Sequence, residues 1–314
     1  PPPVSLPRDS KIFIAGHQGM VGRALWSALE AGEFSHLIGR SHAELDLRDA
    51  AATDAFLQDE KPDVILIAAA KVGGIEANRT QPADFLFDNL QVQTNLIHGA
   101  HQIGARKLLF LGSACIFPRL AEQPMCVDSL FTGPVEPTNE GYAMAKLAGL
   151  KMCQTYRQQH DCDFITAIPT NLYGRHDHYD PDRSHVIPAL IAKYHQAKVN
   201  GESSVTNWGT GSPQREFLNV DDAAAACVFL LDNYSDAEPI NIAGGKEISI
   251  RELNDKIAAL TVYKGAVEWD TEKPDGMPRK LLDGTGLAAM GWTPKINFDA
   301  GLQQAYEDYL ERVA

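Results

Sequence analysis

The sequence predicts an α/β protein, a doubly wound parallel sheet with a smaller C-terminal α/β lobe. Three observations carry this. Strand-like and helix-like segments alternate through the first half, the pattern of βαβ units with helices on both faces of a parallel sheet. Two strand-like runs, DVILIAAA over Asp63–Ala70 and KLLFLG over Lys107–Gly112, are continuously apolar, as in strands buried on both faces. A glycine-rich loop, Gly16-His17-Gln18-Gly19-Met20-Val21-Gly22, stands between the first strand and the first helix.

In chain order, Lys11–Ala15 (KIFIA) is a short apolar strand, and Met20–Ala31 carries apolar residues at helical spacing. Leu37–Gly39 is a short second strand and Ala50–Gln58 a helix. Asp63–Ala70 is the third strand, Pro82–Gly99 a long helix, and Lys107–Gly112 the fourth strand. Tyr142–His160 is helical and Phe164–Pro169 is a strand. After Asn171 the pattern loosens: Tyr173–Ser184 is a polar loop, Val186–Ala197 a helix, and Gly201–Gln214 is rich in Gly, Ser, Thr and Asn. Ile248–Leu260 reads as a helix with Ile250, Leu253, Ile257 and Leu260 along one stripe. No proline- or serine-rich linker divides the chain, so the lobes interleave. The expected division is a dinucleotide-binding domain over 9–171, returning at about 216–242, and a substrate-binding lobe over 172–215 and 243–314.

Composition excludes several classes. Lys+Arg 28 against Asp+Glu 41 leaves a net charge of −13, which tells against nucleic acid and against an anionic membrane surface. The longest apolar run, Ala223–Leu231, is too short to span a bilayer. Five cysteines (Cys115, Cys126, Cys153, Cys162, Cys227) form no CxxC and are odd in number, so neither a disulfide framework nor a zinc signature is present. A reducing, cytoplasmic setting is expected. The first ten residues, PPPVSLPRDS, lack an apolar core and read as a loose leader, not a signal peptide.

The glycine loop suits a dinucleotide. Its first glycine permits a tight turn, the second lets backbone approach a pyrophosphate, and the third lets helix and strand pack closely. At the end of the second strand, where NAD binders place an acidic residue, the chain reads Gly39-Arg40-Ser41. No carboxylate there repels a 2′-phosphate and Arg40 can pair with it, so NADP (NADPH) is expected over NAD. Asp46 is placed to approach the adenine.

Tyr142 and Lys146 form a YxxxK pair, on one face of a helix. A nearby ammonium favours phenolate, so Lys146 is expected to lower the Tyr142 pKa and fit it for proton transfer. Ser113 and Cys115, two apart at a strand end, are expected to face one pocket. The order of glycine loop, Ser113 closing a buried strand, and YxxxK resembles the short-chain dehydrogenase/reductase superfamily in its extended, nucleotide-sugar-modifying branch. Pro169-Thr-Asn-Leu-Tyr-Gly174 and Arg215-Glu-Phe-Leu-Asn-Val-Asp-Asp222 resemble signature segments of that branch. Ala69-Ala-Lys-Val-Gly-Gly74, Gly112-Ser-Ala-Cys-Ile-Phe-Pro118, Glu136-Pro-Thr-Asn139, Ser184-His-Val-Ile-Pro188 and Lys273-Pro-Asp-Gly276 are similar to the GDP-L-fucose synthase family.

That resemblance implies a Rossmann-type fold, a homodimer through helices 82–100 and 142–160, and one reaction. C3 and C5 of GDP-4-keto-6-deoxy-D-mannose are inverted, and C4 is then reduced by NADPH. Ser113 would hydrogen-bond the keto oxygen, Tyr142 would protonate it, and Lys146 would tune Tyr142 and hold the nicotinamide ribose. Cys115 would be the epimerising base and His185 the acid. The loop residues, Ala69, Leu111, Gly112, Pro169, Asn171, Leu172 and His185 would line the cofactor. Arg215 and Lys280 would hold the pyrophosphate, with Lys193 where the family often has arginine, and Trp208 would pack on sugar or base. Gln18, Ala114 and Phe117 depart from the residues usual in the family. Gln18 stands where arginine often flanks the 2′-phosphate, which leaves Arg40 to carry that contact.

Other readings stay open at this level. A 4,6-dehydratase would carry an Asp-Glu pair where this chain has Ala114-Cys115. A 4-epimerase, an enzyme of a related GDP-4-keto-deoxy sugar, and a non-catalytic dinucleotide sensor are the others; Tyr142 and Lys146 tell against the last. His176, His178 and His185 with Asp177, Asp180 and Asp182 are close in sequence, but H-x-H in a loop is a weak metal signal and the chemistry needs none, so no metal is expected.

Overall fold

A computed structural model describes residues 5–180, 184–273 and 275–313. The first half runs β1 (Lys11–Ala15), α1 (Met20–Ala31), β2 (His36–Ile38), α2 (Ala50–Glu60), β3 (Val64–Ile67), α3 (Ile75–Thr80), α4 (Pro82–Gln102), β4 (Lys107–Leu111), α5 (Glu140–His160) and β5 (Phe164–Pro169). The second half runs β6 (Asn171–Tyr173), α6 (Val186–Asn200), β7 (Ser204–Trp208), β8 (Gln214–Asn219), α7 (Val220–Asn233), β9 (Ile240–Ile242), β10 (Lys246–Ser249), α8 (Ile250–Leu260), β11 (Ala266–Asp270), β12 (Arg279–Lys280), α9 (Thr285–Ala289) and α10 (Phe298–Val313).

Six strands form a parallel sheet in the order β2-β1-β3-β4-β5-β9. Alternate side chains feed two cores. Ile12, Ile14, Val64, Leu66, Leu109 and Ile165 join α1 and α7 on one face. Phe13, Ile65, Ile67, Leu108, Phe110 and Phe164 pack with residues of α2, α4 and α5 on the other. The strand order reverses between β1 and β3, and ligands of open α/β sheets bind at such a switch point, outside the carboxyl ends of the strands.

The second packed region centres on β8, which pairs antiparallel with β10 and parallel with β6 and β12. A third core comes from α6, α8 and α10, with Tyr194, Leu253, Ile257 and Leu302 at its middle. The chain crosses from sheet to sheet at Thr170, at Asn219–Val220 and after Ile242. Residues 113–139 form a cap of loops and single turns: Met125 donates to the Leu281 carbonyl (2.7 Å), and Ile116, Met125 and Leu282 pack in one cluster.

Strand and helix centres fall where the sequence pattern puts them, and the ends differ. The helix expected over Ile248–Leu260 begins at Ile250, because Ile248 and Ser249 pair with Arg215 and Gln214 of β8. Ser249 then caps α8 by accepting from the Glu252 amide. The polar stretch Gly201–Gln214 contains β7. Of the expected loop Tyr173–Ser184, residues 181–183 lie outside the described residues, as do residues 1–4 of the leader and Pro274 of the Lys273–Gly276 motif. Among the described residues no helix is long and apolar enough to cross a membrane.

Candidate active site

A cleft of about 460 Å³ opens at the carboxyl ends of β1, β3, β4 and β5. The sheet side supplies Gly16, Gly19–Gly22, Leu111–Ser113, Tyr142, Lys146 and Pro169–Leu172; the second region supplies His185, Arg215 and Lys280.

The phosphate end is backbone. Gly16 has φ +85°, and a Cβ on it would lie 2.7 Å from the Ala69 backbone nitrogen. A Cβ on Gly22 would collide with the Gly16 carbonyl, so helix and strand close only on glycine. Gly19 donates to the Gly16 carbonyl (3.0 Å) and precedes α1 without any side-chain cap. The first-turn amides of α1 therefore have no side-chain acceptor and suit an anion. His17 and Gln18 turn elsewhere. The His17 ring lies against Gly39 and Trp26, its Nδ1 is buried without a partner, and burial lowers its pKa. Gln18 is exposed, and its carbonyl accepts from Arg23 Nε (2.9 Å).

A side groove of about 290 Å³ continues past Gly16 along Arg40, His42, Asp46, Arg48, Ala69 and Lys71. Arg40 is engaged: its guanidinium donates to the Gly39 carbonyl (2.9 Å), pairs with Glu60 (2.7 Å) and lies 5.1 Å over the Phe56 ring. The carboxylate missing next to Arg40 in sequence thus arrives from α2. Asp46 is turned to Arg48 (2.7 Å), whose hydrogen bonds hold its carboxyl down at about 2. Glu44 accepts from both the Ser41 amide and hydroxyl at 2.7 Å, which keeps its own pKa low.

At the catalytic end Lys146 is buried and donates to the Leu111 carbonyl (2.9 Å), with its Nζ 5.9 Å from the centre of the Tyr142 ring. Burial lowers Lys146 to about 8. The expectation that Lys146 depresses the Tyr142 pKa does not hold in this structure. Burial pushes the phenol up, Cys115 adds to the rise, and only a hydrogen bond with Ser113 opposes it. The Lys146 ammonium is tethered to the Leu111 carbonyl, and loss of solvation sets the direction.

Ser113 and Cys115 do not share a strand face either. β4 ends at Leu111; Ser113 caps a single 3₁₀ turn, Ala114–Ile116, accepting from the Cys115 amide (3.4 Å). The two residues stay neighbours through that turn. Cys115 is buried, which raises its thiol pKa, while Lys280, Ser113 and Lys146 pull it back. His185 stands just before α6 at the mouth of the cleft, and the protein packed around it lowers its pKa. Arg215 donates to the carbonyls of Gln214 (2.8 Å) and Met277 (2.7 Å), and Lys280 lies beside it in register on β12.

The sequence profile of the NAD dependent epimerase/dehydratase family matches residues 12–243. GDP-L-fucose synthase 1 of Arabidopsis thaliana is 53% identical over 98% of this chain and 95% of its own. GDP-L-fucose synthase of Escherichia coli K12 is 47% identical over 96% and 97%. The chain belongs to the NAD-dependent epimerase/dehydratase family, among the GDP-L-fucose synthases. A solved GDP-L-fucose synthetase from Naegleria fowleri bound to NADP superposes with a TM-score of 0.92 at 28% identity, covering 99% of this chain and 96% of that one.

Within this epimerase/dehydratase cleft, two expected substrate residues stand apart. Lys193 donates to the Thr206 carbonyl (2.6 Å) and Asn207 Oδ1 (3.0 Å), and Trp208 is 75% exposed under Lys273 at the end of β7. Neither is among the residues lining the cleft. Asp177 is a cleft residue for which the sequence suggested no role but metal binding. It is buried, its Oδ1 accepts from the His178 amide (2.8 Å), its Oδ2 has no partner, and burial raises its carboxyl to about 6. Among the described residues no group of three or more His, Cys, Asp or Glu is arranged to hold a metal. Asp182 lies outside them.

Proposed function

We propose that the protein converts GDP-4-keto-6-deoxy-D-mannose to GDP-L-fucose, inverting C3 and C5 and then reducing C4 with NADPH. The observation that carries this is the meeting of Ser113, Tyr142, Lys146 and Lys280 at one end of a cleft whose other end is an uncapped glycine loop, with Cys115 buried behind Ser113 and not among the lining residues. The residues present fit NADP: first-turn amides of α1 for the pyrophosphate, Lys146 for the nicotinamide ribose, and Arg40 for the 2′-phosphate, shared with Glu60. The bound dinucleotide supplies a hydride to C4.

The protons beside the 4-keto group are acidic because the electron pair left on carbon spreads onto the oxygen. Cys115 as thiolate takes such a proton, while Ser113 and Tyr142 stabilise the enolate oxygen by hydrogen bonds. His185 as imidazolium returns a proton to the opposite face, inverting the centre; the thiol then releases its proton to solvent and the imidazole takes one from solvent, and repetition at the second carbon completes the epimerisation. In reduction Tyr142 gives its phenolic proton to O4 as hydride arrives, its raised pKa keeping the proton in place until then, and Lys146 holds the nicotinamide ribose. Arg215 and Lys280 offer positive charge to the GDP pyrophosphate within a protein of net charge −13. The same reading has two copies joined through α4 and α5, supported by exposed Leu86, Phe87 and Met144 on those helices, and a cytoplasmic setting, supported by five free cysteines.

The test is incubation with GDP-4-keto-6-deoxy-D-mannose and NADPH in D₂O, with NMR of the product. GDP-L-fucose carrying deuterium at C3 and C5 is expected. A product that keeps the manno configuration at both carbons overturns the epimerase half; absence of NADPH oxidation overturns the reductase half.

A further inference from the structure

We propose that Glu216 is a positioning residue for the GDP diphosphate: from the face of β8 turned away from the cleft, its carboxylate holds Lys280 beside Arg215. This deepens the reading of those two cations as the diphosphate holders and rests on it.

The side chains of β8 alternate. Arg215 and Phe217 line the cleft, so Glu216 between them points to the opposite side of the strand, where it is fully buried. Lys280 is the register partner of Arg215 on β12 and lines the cleft with it. The Glu216 carboxylate is held by backbone amides. Its Oε1 accepts from Gly244 (2.7 Å) and Gly245 (3.0 Å), and its Oε2 accepts from Leu282 (3.2 Å). Gly245 comes this close only as glycine, because a Cβ there would collide with the Phe217 carbonyl. The main chain of Glu216 faces the first region: its carbonyl accepts from Asn171 Nδ2 (2.9 Å) and Thr170 Oγ1 (3.5 Å). One residue thus joins the crossing at Thr170, the crossing after Ile242 and the segment that follows β12.

Two cations side by side need such a frame. Arg215 is among the groups that oppose the charge of Lys280, and it donates to the carbonyls of Gln214 and Met277, not to a carboxylate. A carboxylate paired with either cation would remove charge that a diphosphate could meet. The pairing of β12 with β8 ends at Lys280. Beyond it, Leu281 donates to Gln123 Oε1 (2.8 Å) and Asp283 to the Met125 carbonyl (3.0 Å), which ties the segment to the cap of loops. The Leu282 amide on Glu216 ties it to the strand that carries Arg215. Glutamate suits this place because it accepts on both oxygens. Glutamine has one acceptor oxygen; with Gly244 and Gly245 kept on it, the NH₂ group meets the Leu282 N–H donor to donor. The segment then loosens two residues from Lys280, while the Asn171 contact, made by the main chain, stays.

The experiment is calorimetric titration of the NADP-loaded protein with GDP, and of the free protein with NADP. Glu216→Gln is expected to weaken GDP by about tenfold and to change NADP affinity by less than about twofold. Lys280→Met is expected to weaken GDP by about tenfold or more. Because Glu216 acts through Lys280, adding Glu216→Gln to Lys280→Met is expected to weaken GDP by less than about twofold further. Unchanged GDP affinity in Glu216→Gln overturns the proposal. So does a parallel loss of NADP affinity, which marks general damage to the fold, and so does a double variant in which the two losses multiply. Full GDP affinity in both Lys280→Met and Arg215→Met overturns the reading of the two cations themselves, a failure distinct from that of Glu216→Gln alone. If Glu216→Gln does not fold, Glu216→Asp, one methylene short of spanning both sets of amides, serves with the same expectations.

Discussion

At its phosphate end the cleft is walled by the backbone of one continuous loop, Gly16–Gly22, whereas at its catalytic end it is walled by side chains from β12, β8, α5, the turn after β4 and the entry to α6. In the proposed reading the first end works through amides and close approach, so what matters is the absence of side chains. In the same reading the second works through charge and proton position, so what matters is which side chains meet and how much water they lose. A methyl group should damage the first end, and loss of a single oxygen should damage the second.

The largest effect is expected at the catalytic end. Tyr142→Phe removes the proposed proton donor and should lower NADPH oxidation by roughly 10²–10⁴-fold while NADPH still binds. Steady-state assays at 340 nm with a binding titration check this; near wild-type turnover would remove Tyr142 from the mechanism. At the phosphate end, Gly22→Ala drives a methyl group into the Gly16 carbonyl. We expect NADPH affinity to fall about tenfold or more and stability to drop by about 1–3 kcal/mol. Calorimetry and thermal unfolding would expose an unchanged variant, which would show the loop to be more yielding than its geometry.

Between the two ends, Asp177 offers a pH test. Its folded-state pKa is raised to about 6 by burial, above the usual carboxylate value. The protonated form is the one the fold favours, so its contribution is present below about pH 4 and is lost as pH rises through about 6. Asp177→Asn should flatten that slope and stabilise the protein by about 1–2 kcal/mol at pH 7.5. Urea midpoints at pH 4.5 and 7.5 measure it, and parallel shifts at both values would contradict the burial argument. The smallest effect concerns Arg40. If Glu60 competes for its guanidinium, Glu60→Gln should tighten NADPH by about threefold, and Arg40→Ala should weaken NADPH about tenfold with NADH little changed. Equal changes for the two cofactors would detach Arg40 from the 2′-phosphate.

By itself the sequence determined whatever depends on neighbours a few residues apart. KIFIA and KLLFLG read as buried strands because apolar period is a local property, the glycine loop reads as a phosphate cradle from its spacing together with its place between a strand and a helix, and Tyr142 and Lys146 share a helix face because a turn is fixed by geometry. Only the tertiary structure decided the rest. β12, two residues long, has no period to read, yet its register with β8 sets Lys280 beside Arg215 and within electrostatic reach of Cys115. Glu60 reaches Arg40 from α2, and Trp208 ends a strand facing solvent. The sign of the Tyr142 shift turned on burial, which is supplied by residues far along the chain and which the lysine one helical turn away does not reverse. Desolvation and long-range register are sums over the whole fold, and no short window of sequence contains them.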